Sequence, residues 1–282
     1  MPSLTKQHVK IISTALKNQS SRVKATPTWR KLVDEYGLGE MRGSHIHLTR
    51  QDRKAWRELL VAECGFDPTQ EGLSGNRTEV ASRTPNEKWS TESVWANMVS
   101  VTALGGDLVT AEGRCGIVHG VEYRVQSAAL QPSDYEALLI VENYEAFLFI
   151  HQFQLPELGH VLVLYRGHDA TARAVMRLLE RVAGIPIIGF TDPDPAGIGI
   201  LVDNPRFTHA LVPGITALAS APTLAERFAL QLAARPRLKE QCTERSEDFR
   251  HYVDWVLEEG VAISQEWLLG HCVPVQIIPL LP

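Results

Sequence analysis

The stretch FTDPDPAGIGI, Phe190–Ile200, sets two carboxylates two residues apart, each directly before a proline, and follows them with a run of small residues. A residue before proline is pushed toward extended geometry, and positions i and i+2 of an extended segment point to the same side. Asp192 and Asp194 therefore project together. Two like charges in one small space are unfavourable unless a cation lies between them or both reach water.

Around this stretch the pattern is regular from Asp134 onward. EALLIVE, HVLVLYRG, IPIIGFTD and FTHALVPG are short apolar runs fit for buried strands, and NYEAFLFIHQF, the segment after Gly167 and PAGIGILVDN are the helices between them. The clearest helix places Val175, Leu178, Leu179 and Val182 at i, i+3, i+4 and i+7, with Gly184 and Pro186 to stop it. Such alternation predicts an α/β domain with a parallel sheet and helices on both faces. Ligands of these sheets bind at the carboxyl ends of the strands.

That rule selects residues. Glu142 ends the first strand, Arg166 and Gly167 the second, and Asp192 with Asp194 the third. Three carboxylates at one sheet edge are hard oxygen donors suited to Mg2+ or Mn2+. Each acid also has a plainer reading: Asp194 before Pro195 has the form of an N-cap, and Glu142 can cap the helix after its strand. Capping and coordination are compatible. The helix starting near Pro195 is expected to aim its first amides at the same place, where a phosphate would be favoured. Arg166 and His168 are candidate phosphate contacts, His168 having the alternative of merely opening the helix HDATARAVM.

The chain has 282 residues, 44% hydrophobic and 22% charged, which is the composition of a globular protein with a real core. Residues 1–66 hold 12 Lys and Arg against 6 Asp and Glu, so this end carries +6 and the other 216 residues carry −11 of the total of −5. A basic module joined to an acidic one suits a protein that holds a polyanion with the first and metal with the second; the alternative is two solvated surfaces. In the basic part, HVKIISTALK, TWRKLVDEYG with Thr28 as cap, and TRQDRKAWRELLVAECG read as helices, and GSHIHL as a short strand. This suggests a winged-helix-like module whose second helix, with Arg30 and Lys31, enters a DNA groove, or else a small helical cap that binds protein.

Residues 67–133 read as a linker over 67–90 and a middle segment of unassigned role, in which WSTESVWANMVSVTAL is expected to be helical and GIVHGVEYRVQ a strand. The catalytic domain is expected over 134–282. Cys64, Cys115, Cys242 and Cys272 lie far apart and read as reduced thiols. No apolar run is long enough to span a bilayer and the start lacks the apolar core of a signal peptide, so a cytoplasmic protein without membrane contact is expected. No GxxxxGK[ST] occurs, so ATP hydrolysis is not expected of this chain.

Together, IVENYEAF, LVLYRG and FTDPDPAGIGIL, with the DxDxxG of Asp192, Asp194 and Gly197, resemble the Toprim domain of topoisomerases, bacterial primases and OLD-type nucleases. Within that superfamily they are most similar to the nuclease subunit of Wadjet defence systems and to the A subunit of topoisomerase VI, over about residues 134–214. The resemblance implies that Asp192 and Asp194 are ligands of Mg2+ or Mn2+ and that Glu142 is a ligand or general acid/base. Glu266, in AISQEWLL, resembles a QE motif of that family and would be a further metal ligand; its alternative is a solvated helix residue near the Ser264 cap. The implied activity is cleavage of double-stranded DNA by a homodimer, within an anti-plasmid complex of an SMC-type ATPase, kleisin and accessory subunits. Three alternatives stay open: a non-catalytic DNA-binding subunit, a primase-like nucleotidyl transferase, and a topoisomerase-like enzyme using Tyr36, the only tyrosine in residues 1–66.

Overall fold

The computed structural model describes residues 4–71, 75, 77–84, 89–90, 94–218, 221 and 223–282, and its contacts divide it into two units, Met1–Val94 and Trp95–Pro282. Residues 67–133, read from sequence as linker and middle segment, are shared between them. Phe66, Val80 and Trp89 pack into the core of the first unit, whereas Val99 and Val101 belong to that of the second.

The first unit contains α1 (Lys6–Lys17), β1 (Arg22–Lys24), α2 (Pro27–Tyr36), β2 (Glu40–Arg42), β3 (His45–His47), α3 (Arg50–Cys64) and α4 (Arg77–Ala81). Its three strands form an antiparallel sheet in the order β1-β3-β2. Threonines start the three longer helices. Thr5 and Thr49 make capping boxes, and α2 is capped by Thr26, whose Oγ1 accepts the Trp29 N–H at 3.3 Å, rather than by Thr28. The reason is Pro27: proline is tolerated at the first helical position, so the helix begins there and its cap is the residue before. Trp56 is fully buried, with Trp29 edge-on at 6.1 Å and Tyr36 tilted against it at 5.5 Å.

The second unit runs β4 (Met98–Leu104), β5 (Leu108–Thr110), β6 (Gly113–Cys115), β7 (Tyr123–Gln126), β8 (Ala137–Val141), α5 (Tyr144–Leu148), β9 (Val161–Tyr165), α6 (Asp169–Glu180), β10 (Ile187–Phe190), α7 (Pro195–Asp203), β11 (His209–Pro213), α8 (Ile215–Leu218), α9 (Ala225–Gln231), α10 (Arg235–Cys242), α11 (Glu247–Glu258), α12 (Gln265–Gly270) and β12 (Val275–Pro279). Seven strands form one sheet in the order β12-β11-β10-β8-β9-β4-β7. The four in the middle, β11-β10-β8-β9, are parallel, as the strand and helix alternation predicts.

The sheet is mixed, however, because β12 and β4 run antiparallel to their neighbours and β7 antiparallel to β4. Here the helix expected over WSTESVWANMVSVTAL is corrected: Met98–Leu104 is a strand with its five inner residues buried. Val99, Val101 and Thr102 are β-branched and suit a pleat with partners on both sides, which outweighs the helical spacing of the longer stretch. All residues of β8 and β10 are buried, as strands covered on both faces must be. α5 packs on β8 and β9, and α6 on β4.

β8 is the hinge of this topology. The chain leaves it toward β9 on one side, then returns past it to β10 on the other. At such a reversal the connections diverge and a crevice opens at the carboxyl ends of the two adjacent strands, here β8 and β10. Among the described residues no helix is long and apolar enough to cross a membrane.

Candidate active site

Glu142 follows β8 directly and Asp192 stands two residues past β10, so both lie at the crevice. The ladder extends to fix them: the Glu142 N–H donates to the Phe190 carbonyl at 2.9 Å, and the Asp192 N–H donates to Glu142 Oε2 at 3.1 Å. Asp194 is the N-cap of α7, its Oδ1 accepting the Gly197 N–H at 2.7 Å. Gly197 is required by close approach, since a Cβ there would lie 2.1 Å from the Asp192 carbonyl oxygen. The DPDPAG stretch thus folds into a tight turn that presents both carboxylates and starts a helix.

Asp192 is 5% exposed and Asp194 fully buried, and a cation does lie between them. It is Arg227, on α9, whose Nη2 stands 2.5 Å from Asp192 Oδ2 and 2.7 Å from Asp194 Oδ2. Gln231, one turn further along α9, donates from Nε2 to Asp194 Oδ2 at 3.1 Å and accepts the Ala196 N–H at 2.9 Å. Two α7 amides expected to meet a phosphate are therefore engaged inside the protein, Gly197 by Asp194 and Ala196 by Gln231.

The other oxygen of Asp192 is held from α12 and from the end of β8. Oδ1 accepts the Gln265 N–H at 2.8 Å and Asn143 Nδ2 at 2.7 Å. Asn143 Nδ2 also reaches Glu266 Oε2 at 3.4 Å, and the Asn143 N–H donates to Gln265 Oε1 at 2.9 Å. Gln265 is fully buried and its Nε2 has no hydrogen-bond partner. Glu266 joins the cluster at its edge, half-buried, while Ser264 caps α12 by accepting the Trp267 N–H at 3.3 Å.

Burial raises the Glu142 pKa to about 7; the Asp192 amide opposes that shift, the Asp192 charge adds to it, and Arg166 also opposes it. Burial likewise raises Asp192, against the Arg227 hydrogen bond and the Gln265 amide. A carboxyl group with its pKa near neutrality is able both to give and to take a proton at physiological pH.

The remaining expected residues are placed unequally. Arg166 Nη2 lies 3.9 Å from Glu142 Oε1, and its Nε is buried without a partner. His168 is exposed at the start of α6, with its ring edge-on to Tyr165 at 6.2 Å, and hydrogen-bonds to none of the acids. Arg30 and Lys31 are exposed on α2 in the other unit; Arg30 Nε donates to the Ala25 carbonyl at 3.0 Å and Lys31 lies 3.7 Å from Glu35.

Among the described residues no group of three or more His, Cys, Asp and Glu side chains is arranged to hold a metal ion. Two carboxylate oxygens nevertheless converge within 2.7 Å of one point, occupied by the guanidinium as a stand-in cation. The Asp pair fits Mg2+ or Mn2+ in donor chemistry once Arg227 is displaced, with Glu142 and Glu266 beside it. Sequence reasoning missed Arg227 and Gln231, which carry no motif and enter from a helix more than thirty residues downstream. Asn143 and Gln265 had a signal, each being adjacent in sequence to an acid already singled out.

A family model described as a domain of unknown function (DUF7281) matches residues 96–277, which covers the crevice, α5–α12 and the sheet up to Ile277 within β12. The search of curated proteins finds no match.

Proposed function

The chain belongs to the DUF7281 family, and we propose that this member of it is a divalent-metal-dependent DNA endonuclease with a Toprim-like catalytic domain. The observation that carries the reading is the meeting of Glu142, Asp192 and Asp194 at the crevice between β8 and β10, with the Asp pair aimed at a single cation position. Mg2+ or Mn2+ would be held there by Asp192 and Asp194, with Glu266 as a further oxygen donor and Glu142 either as a ligand or, uncoordinated, as the general acid/base. When bound, it would lower the pKa of a water and neutralise charge on a scissile phosphate.

The chain's own groups supply the rest. Glu142 is poised near pH 7 to hold or release a proton at its carboxyl oxygen. Arg166, 3.9 Å from Glu142, is placed to meet a phosphate oxygen. Asn143 and the Gln265 amide orient Asp192 by holding its Oδ1, which leaves Oδ2 facing the cation position. Hydrolysis is favoured over a covalent protein–DNA step, because Tyr36 is packed against Trp56. Symmetric double-strand cutting favours a homodimer, with double-stranded DNA as substrate and SMC-type ATPase and kleisin subunits as the delivering partners.

A second reading has an observation of its own. Arg227 already bridges the Asp pair and offsets one of its two charges, as it would in a non-catalytic DNA-binding subunit that has no use for metal. The deciding experiment is incubation of the purified protein with supercoiled plasmid in Mn2+ or Mg2+, alone and with the products of neighbouring genes, beside Asp192→Ala and Tyr36→Phe. Nicking or linearisation lost in Asp192→Ala and kept in Tyr36→Phe is the expected result. No cleavage in any condition, together with no Mn2+ binding by calorimetry, would replace the nuclease by the non-catalytic subunit.

A further inference from the structure

The first unit has a positively charged cleft away from the helix on which its DNA contacts were expected. Its volume is about 990 Å3, and it lies between the end of α1, the start of α3 and the turn at Thr69–Gln70. Five cations line it: Lys17, Arg50, Arg53, Lys54 and Arg57. The rest of the described lining is aliphatic, amide and hydroxyl, with no carboxylate. Five of the 12 Lys and Arg in residues 1–66 are thus gathered on one concave surface.

Spacing makes this a built surface. Arg50, Arg53, Lys54 and Arg57 stand at i, i+3, i+4 and i+7, the positions that share one face of a helix. The flank beside it carries Trp56, Leu60 and Cys64 into the core, so the stripe borders the buried face and its cations are held at the edge of the packed helix. Helix stability does not account for cations there, since the N-terminal end of a helix already bears positive partial charge and prefers acids. The one acid of that turn, Asp52, is tied to the helix start through Thr49.

Local pairing does not cancel the charge either. Arg57 is paired with Asp67 at 2.5 Å, and Lys54 reaches Glu58 at 3.7 Å across exposed surface. Lys17, Arg50 and Arg53 make no ion pair among the described residues, Arg53 donating only to the Leu48 carbonyl. Arg30 and Lys31 on α2 are engaged in the same ways as Arg53 and Lys54, by a backbone carbonyl and by Glu35, but they are two cations outside the cleft, whereas five are gathered within it.

We propose that this cleft, formed by α1 and α3, is the phosphate-backbone contact of the first unit, and that α2 is not. The ligand class is double-stranded DNA held through its phosphates without base readout. From Arg50 to Arg57 the stripe is about 10 Å long at the rise of a helix. A duplex passes about three phosphates of one strand over that length, matching the cations left after Arg57 is paired. Guanidinium and ammonium groups flanked by amides suit phosphate and sugar oxygens, and the described lining has no aromatic side chain on which an unpaired base would stack. The inference rests on the nuclease reading only in taking DNA as the polyanion.

The test is binding without chemistry. Anisotropy of a labelled mixed-sequence duplex is followed in EDTA between about 50 and 200 mM salt, for the full chain, for Lys17→Gln/Arg50→Gln/Lys54→Gln and for Arg30→Gln/Lys31→Gln. The cleft variant is expected to bind about tenfold or more weakly at low salt, with the slope of log K against log salt reduced by about 2 to 3, and the α2 variant to keep both. Should the triple variant melt below the unmodified protein, Arg50→Gln alone, exposed and unpaired, is expected to reduce the slope by about 1. Unchanged affinity and slope in the cleft variants, or loss confined to the α2 variant, would overturn the proposal. So would tighter binding to single-stranded RNA or to anionic phospholipid vesicles than to the duplex. Intact, cleft-dependent binding with no cleavage in metal would remove the nuclease and leave the cleft standing.

Discussion

The backbone N–H of Asp192 donates to Glu142 Oε2 at 3.1 Å, so the acid that ends β8 is bonded to the turn that follows β10. The two residues lie fifty positions apart and meet because β8 and β10 are neighbours in the sheet. This contact and burial act on Glu142 in opposite directions, and burial dominates, holding its pKa at about 7.

Stability should therefore depend on pH through Glu142. Its folded pKa is above that of the unfolded chain, so folding favours the protonated form: the contribution is complete below about pH 4.5 and is lost as pH rises through about 7. Glu142→Gln should remove that loss. In thermal melts in EDTA the unmodified protein is expected to lose stability between pH 5 and 8, by up to about 3 kcal/mol, and the variant to lose clearly less. Parallel curves would assign the site a different titrating group.

Arg227 tests whether the Asp pair is a cation site. Arg227→Ala leaves two buried carboxylates facing one another. In EDTA the loss is expected to be about 1–2 kcal/mol, below the roughly 3–5 of a fully buried pair because the arginine side chain is 35% exposed. If Nη2 stands where Mg2+ or Mn2+ belongs, Mn2+ should restore the melting temperature of the variant and raise that of the unmodified protein less. An equal response to Mn2+ in both proteins would show that the arginine and the metal do not share a position.

Gly197→Ala probes the turn rather than the charges. The added Cβ would stand 2.1 Å from the Asp192 carbonyl, a backbone atom that cannot rotate away. The turn must open, at a cost of about 1–3 kcal/mol or more, and Asp192 must move off Glu142 and Gln265. Lower thermal stability, together with loss of the pH dependence assigned to Glu142, is the expected pair of changes. A variant as stable as the unmodified protein would mean that the turn is looser than this contact requires.

The parallel core, β8 to β11 with the helices between, was legible in the sequence, and so were Glu142, Asp192 and Asp194 at its edge. The physical reason is local: short apolar runs, prolines that extend the residues before them, and helical spacing are properties of neighbours along the chain. Tertiary structure alone decided that Met98–Leu104 joins the sheet as a strand, because its β-branched residues are rewarded only when β9 and β7 lie on either side. It alone placed Arg227 between the aspartates. A lone arginine on a short helix has no pattern to mark it, and a charge finds its partner through burial and distance in space, which spacing along the sequence does not encode.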